Sequence, residues 1–183
     1  ARNGYIVFKP DYRGHGNSEG QPLGAYYSPA YTIDVLNAVS TLKKYKDADP
    51  QRIGMWGHSM GGNITLRTLV VSNDIKAAVI WAGVVGSYED LMERWRRRFP
   101  WSPTSREQIA HRPSRQNFIE QYGTPKDNPT FWNSIDPTKF VQDIKAPVQL
   151  HHGTGDDHVP IEFSESLKNV LQKAGKTVEY YTY

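Results

Sequence analysis

The chain has 183 residues, no cysteine and a formal net charge of +3. That length holds one domain with a sizeable core. The lack of cysteine excludes a disulfide framework and thiolate metal sites, and the weak charge lacks the footprint of a nucleic-acid binder. No apolar run is long enough to cross a membrane as a helix, and the first residues carry no charged-then-apolar leader pattern. Neither nucleic acid nor a membrane is expected as a partner. The basic cluster RWRRR at 94–98 reads as the solvated face of a helix.

In chain order, GYIVFKP at 4–10 is a short β-branched run stopped by proline and followed by a turn-rich stretch, which predicts a buried strand. Over 30–46, Tyr31, Val35, Val39 and Leu42 recur at helical spacing before a lysine-rich end. RIGMW at 52–56 predicts a second strand, 61–71 a helix, IKAAVIWAG at 75–83 a third strand and APVQLHHG at 146–153 a fourth. A helix is expected over 161–174, with Phe163, Leu167, Val170 and Leu171 on one side, and a fifth strand over 177–183. Strands alternating with helices imply an α/β fold: a mostly parallel sheet with helices on both faces. Between residues 88 and 139 the rhythm breaks into a polar, aromatic, proline-bearing stretch that includes Trp95, Phe99, Trp101, Phe131 and Trp132. Residues 88–133 are read as a helical cap inserted into a single domain spanning 1–183, over the sheet end where α/β folds bind ligands.

The pattern Gly-x-Ser-x-Gly occurs as Gly57, His58, Ser59, Met60, Gly61. Five positions are a weak signal alone, but here a strand runs in and a helix runs out. A turn that tight brings the residues two before and two after the serine together, and glycines at 57 and 61 are expected to remove the clash. Ser59 then sits at a strand tip as a nucleophile, and the Met60 backbone N–H points to where an oxyanion would develop.

GHSMGG, with DYRGHGNSEG upstream and APVQLHHGTGDDHVP downstream, resembles the α/β-hydrolase superfamily. The whole chain outside the cap is most similar to the catalytic domain of the prolyl oligopeptidase family and its esterase relatives. In that family the acid of the triad lies in an HGxxDxxVP loop. Matching Gly153 and Val159 to it selects Asp156 over Asp157, in the order serine, acid, histidine. The competing reading is that both aspartates only cap the helix near 161. The resemblance also implies that Asp11 and Arg13 brace loops and do no chemistry.

The cluster of His151, His152, Asp156 and His158 invites a metal reading. Adjacent histidines at a strand end point to opposite faces, however, so no metal or other cofactor is expected. His15 and His58 read as packing or hydrogen-bonding residues around the turn, and His111 as a surface residue of the cap. The resemblance implies a catalytic histidine after the strand that follows the acid. None of the six histidines fits, and His158 is too close to Asp156 in sequence. The chain is therefore expected to be the middle of a longer hydrolase, truncated at both ends, with the base and the second oxyanion donor elsewhere. Such a remnant, with GYIVFKP as an uncovered sheet edge, is expected to self-associate.

The function implied for the parent is that of a serine hydrolase cleaving a short peptide or small-molecule ester through an acyl-enzyme. Esterases and peptidases share these motifs, so carboxylesterase or lipase chemistry remains open beside peptidase chemistry. The alternative of another class is an inert fragment or pseudo-hydrolase acting by binding.

Overall fold

The computed structural model describes residues 3–95 and 115–183. Four strands form one parallel sheet in the order β1-β2-β3-β4: Gly54–His58, Ala77–Trp81, Val148–His152 and Val178–Thr182. The helices are α1 (Ala30–Lys43), α2 (Met60–Val71), α3 (Arg115–Tyr122), α4 (Pro129–Ile135) and α5 (Ile161–Lys173). A π-helical turn covers Asp90–Arg94 and a 3₁₀ segment Pro137–Asp143.

The register places Gly57, Ile80, Leu150 and Tyr180 in one row across the sheet. Ile80 and Leu150 are fully buried, as is His152 two residues on. Helices α2 and α5 pack on this face: a Cβ at Gly62 of α2 would lie 2.8 Å from Ile80 Cγ2, and Ser164 of α5 bonds His152. Helix α2 is buried almost all round, through Ile64, Leu66, Thr68 and Leu69, because α1 packs against it from outside. Helix α5 is amphipathic, burying Phe163, Leu167 and Leu171 at i, i+4 and i+8 while Val170 faces outward. It stops at Gly175, whose positive φ of 68° lets Lys176 N–H reach back to the Leu171 carbonyl.

The other face is aromatic. The row His58, Trp81, His151, Tyr181 crosses all four strands, with Trp81 stacked on His151 at 4.9 Å and His151 on Tyr181 at 5.1 Å. Trp56, Trp81 and Tyr181 remain 64%, 39% and 43% exposed. Among the described residues, the helices that pack on the strands lie on the opposite face.

GYIVFKP corrects one expectation. Residues 5–10 are in no strand and largely exposed, with Tyr5 and Val7 above 70%. A β-branched run becomes a strand only when a neighbour completes its ladder, and in the described sheet β1 is the edge. The described sheet therefore has four strands where the sequence suggested five.

A second, smaller core joins Tyr88, Met92 and Trp132, with Tyr27, Phe118, Phe131 and Ile135 packed around it. Most of the described aromatics of the 88–133 stretch serve this cluster. Trp95 instead spans to the main core, edge-on to Phe163 and to Tyr26. Phe99, Trp101, His111 and residues 96–98 of the basic cluster lie outside the described residues. The cluster is tied down by the buried Asp136, whose Oδ2 accepts from Tyr88 N–H at 3.1 Å and whose Oδ1 accepts from Thr138 N–H at 2.8 Å. The Tyr88 hydroxyl accepts from Arg67 of α2 and donates to the Tyr26 carbonyl.

Candidate active site

Ser59 stands between the end of β1 and the start of α2 with φ 52° and ψ −116°, a left-handed conformation that is costly for a residue with a Cβ. Three backbone bonds hold it there. Its N–H donates to the Trp81 carbonyl, and its carbonyl accepts from Gly62 and Val84 N–H, each at 3.0 Å. The buried Asn63 adds a fourth tie from α2 to the same loop, donating from Nδ2 to the Val84 carbonyl at 3.0 Å. Met60 is the first residue of α2, so its N–H is among those with no acceptor inside the helix, at the positive end of the helix dipole.

The glycines divide their work differently from the expectation. A Cβ at Gly57 would lie 2.3 Å from the Gly61 carbonyl oxygen and 2.4 Å from Thr65 Oγ1, so Gly57 is sterically required. At Gly61 a Cβ would meet nothing within 4 Å, because the helix turns that position away from the strand and only its carbonyl faces Gly57. The second close approach is at Gly62, where a Cβ would lie 2.7 Å from Gly83 Cα. The sequence signal for it is the last glycine of GHSMGG, one residue beyond the Gly-x-Ser-x-Gly pattern.

The loop that carries Asp156 and Asp157 follows β3. Asp156 is half-buried, and its Oδ1 accepts two backbone N–H bonds, from His158 at 2.9 Å and Val159 at 3.0 Å. Its Oδ2 lies 3.6 Å from His152 Nε2. Asp157 is exposed, with Oδ1 3.6 Å from His158 Nε2. The two aspartates are thus distinct: one held by the backbone with an oxygen to spare, the other on the surface. Trp95 Nε1 donates to the His158 carbonyl at 2.9 Å, and Thr154 N–H to the Tyr183 carbonyl at 2.8 Å. Ser59 and Asp156 leave the same end of the parallel sheet, separated by β2, a lateral offset of about 10 Å at the usual strand spacing.

The described histidines have other engagements. His15 packs edge-on to Tyr31 and bonds the Arg13 carbonyl through Nδ1 at 3.1 Å. His58 stacks on Trp56. His151 lies between Tyr183 Oη at 2.9 Å and Gln149 Oε1 at 3.0 Å, while His152 points to the buried face, so the adjacent pair does diverge. Arg13 grips Asp34 of α1 through its guanidinium at 2.6 Å and its own N–H at 3.0 Å, bracing the turn-rich loop. Burial opposes ionisation of Asp34, but the hydrogen bonds and charge of Arg13 outweigh it and hold the carboxyl below the usual carboxylate range.

A parallel sheet with a strained serine at the tip of one strand and a backbone-held aspartate after a later one is the architecture of an α/β-hydrolase. The sequence profile of the prolyl oligopeptidase family matches residues 1–183, and the chain belongs to that family. It is 28% identical over 184 residues to the uncharacterised peptidase YtmA of Bacillus subtilis, covering all of this chain and 64% of that one. It is 27% identical to venom dipeptidyl peptidase 4 of Vespula vulgaris, covering 94% of this chain and 20% of the venom protein. Among solved structures, the acylaminoacyl peptidase of Pyrococcus horikoshii aligns with a TM-score of 0.64 at 24% identity, over 94% of this chain and 26% of that one, a likeness of fold. The chain thus spans less than two thirds of the length of these relatives.

Proposed function

We propose that the parent protein is a serine peptidase in which Ser59 is the nucleophile, Asp156 the acid and the Met60 N–H one oxyanion donor. The observation that carries this reading is the backbone of Ser59, held at φ 52° by bonds to Trp81, Gly62 and Val84. Strain of that kind persists only where the surroundings over-determine it, and it clusters at reactive sites.

In the proposed reaction an imidazole takes the Ser59 hydroxyl proton as Oγ bonds to the acyl carbon. The carbonyl oxygen becomes an anion facing the Met60 N–H. Collapse breaks the bond to the leaving amine, which takes the proton from the imidazolium. Water then repeats the sequence on the acyl-enzyme and restores Ser59. Asp156 has an oxygen available to orient that imidazole and to stabilise its cation. The base is none of the five described histidines, each of which is engaged or placed elsewhere; the family resemblance assigns it to a position after β4. Residues 1–183 alone are accordingly expected to be inert, since loss of the base alone in a serine protease costs about 10⁶ in kcat. Residues 88–95 and 115–133 are read as parts of a lid over this end of the sheet; residues 96–114 of that stretch lie outside the described residues.

The relatives named for dipeptidyl and acylaminoacyl peptidase activity support a short peptide as substrate, with an acyl ester as the runner-up. The test is intact-mass analysis of the full native chain before and after a fluorophosphonate, followed by matched peptide and ester substrates. One adduct, lost in Ser59→Ala, together with peptide turnover, is the expected result. An adduct that persists in Ser59→Ala removes the nucleophile assignment, and turnover of the ester alone replaces peptidase by esterase.

A further inference from the structure

The acid loop rests on a histidine to which the proposed chemistry gives no part. His152 ends β3, is fully buried, and sits with Nδ1 2.7 Å from Ser164 Oγ and Nε2 3.0 Å from the Val159 carbonyl oxygen. A carbonyl only accepts, so Nε2 carries the ring proton and the Ser164 hydroxyl donates to Nδ1. Both ring nitrogens have a partner, as a fully buried imidazole requires, and the Nε2–H tautomer is one that satisfies both. Val159 is gripped at both of its backbone groups, since its carbonyl accepts from His152 and its N–H donates to Asp156 Oδ1 at 3.0 Å. The same Nε2–H faces Asp156 Oδ2 at 3.6 Å.

Resting on the reading of Asp156 as the acid, we propose that His152 is a positioning residue for that carboxylate. By holding Val159 and presenting Nε2–H beside Oδ2, it fixes the direction in which the second oxygen faces the base. Ser164 selects the tautomer that makes this possible, which links the acid loop to the first turn of α5. Such supporting groups set the orientation of a reacting group, and displacement on the order of 1 Å costs about 10²-fold.

The experiment is the pH profile of kcat and kcat/KM in the full native chain for His152→Phe, His152→Gln and Asp156→Asn. His152→Phe is expected to lower kcat about 10–100-fold with KM little changed. It should also move the acidic limb to lower pH, because a less ordered carboxylate stabilises the catalytic imidazolium less. His152→Gln, whose Nε2 reaches the same place with an N–H, is expected to restore part of both. A merely structural role would lower the folded fraction and leave the limb where it is. If Asp156→Asn is inactive and the limb of His152→Phe coincides with that of the native protein, the positioning role is overturned. Asp156→Asn with native kcat would instead remove the acid assignment, and this inference with it. Should His152→Phe fail to fold, nitrogen-15 NMR of the native imidazoles decides. An Nε2–H tautomer for His152 at neutral pH is expected, and an Nδ1–H tautomer or an imidazolium there would sink the proposal.

Discussion

At the scale of single residues, the turn at Ser59 separates glycines that look alike in the sequence. Gly57→Ala would drive a Cβ into the Gly61 carbonyl and Thr65 Oγ1. It is expected to cost about 1–3 kcal/mol, as overpacking does. Gly61→Ala has open space and a helical position, so it is expected to be neutral or to stabilise by up to about 1 kcal/mol. Urea unfolding of the two variants checks the contrast, and equal losses would refute it. The motif was legible because a serine between glycines, after an apolar run and before a helix, leaves few other conformations. The direction in which each missing Cβ would point was not, because it depends on how α2 leaves the strand. In the sequence, only the spacing from Gly153 to Val159 separates Asp156 from Asp157. The physical difference, two backbone N–H donors against an exposed carboxylate, exists only in the folded loop.

At the scale of elements, ionisable groups that join helices and loops give the fold its pH limits. Burial pushes the Tyr88 hydroxyl up to about 12; the Arg67 guanidinium opposes this, and Asp136 and Tyr27 add to it. The native state thus keeps the phenol proton longer than the unfolded chain does. The stability this provides is complete below pH 10 and is lost as pH rises through about 12. At 1.36 kcal/mol per unit it amounts to roughly 2–3 kcal/mol. Unfolding free energy measured from pH 8 to 12 should fall over that window and fall less in Tyr88→Phe; identical profiles would remove Tyr88 as the cause. Asp34 has the opposite sign. Its lowered folded value gives stability that is present above the usual carboxylate range and is lost as pH falls through the folded value. Asp34→Asn is expected to flatten the acid limb of the stability profile, read by fluorescence. Helices α1 and α5 were legible from apolar spacing because each buries one stripe. The Arg13–Asp34 and Tyr88–Arg67 ties were not, since their partners lie 21 residues apart in the chain.

At the scale of the whole molecule, the sheet has one packed face and one aromatic face. Parallel sheets are ordinarily covered on both. The exposed aromatics of that face, Trp56, Trp81 and Tyr181, with the unpaired 5–8 segment, therefore predict concentration-dependent association of residues 1–183. The surface responsible differs from the edge strand that the sequence suggested at GYIVFKP. Sedimentation velocity should show species above the monomer, reduced in Trp81→Glu, and a clean monomer at every concentration would contradict this. The sequence by itself determined the α/β class, the order of the elements around Ser59 and the family, because strand and helix periodicity and a five-residue turn are properties of neighbours along the chain. Only the tertiary structure decided that GYIVFKP forms no strand, that Gly57 and Gly62 are the tight contacts, and that His152 and Ser164 support the acid loop. Each of these depends on which distant backbone lies alongside, and periodicity carries no record of that.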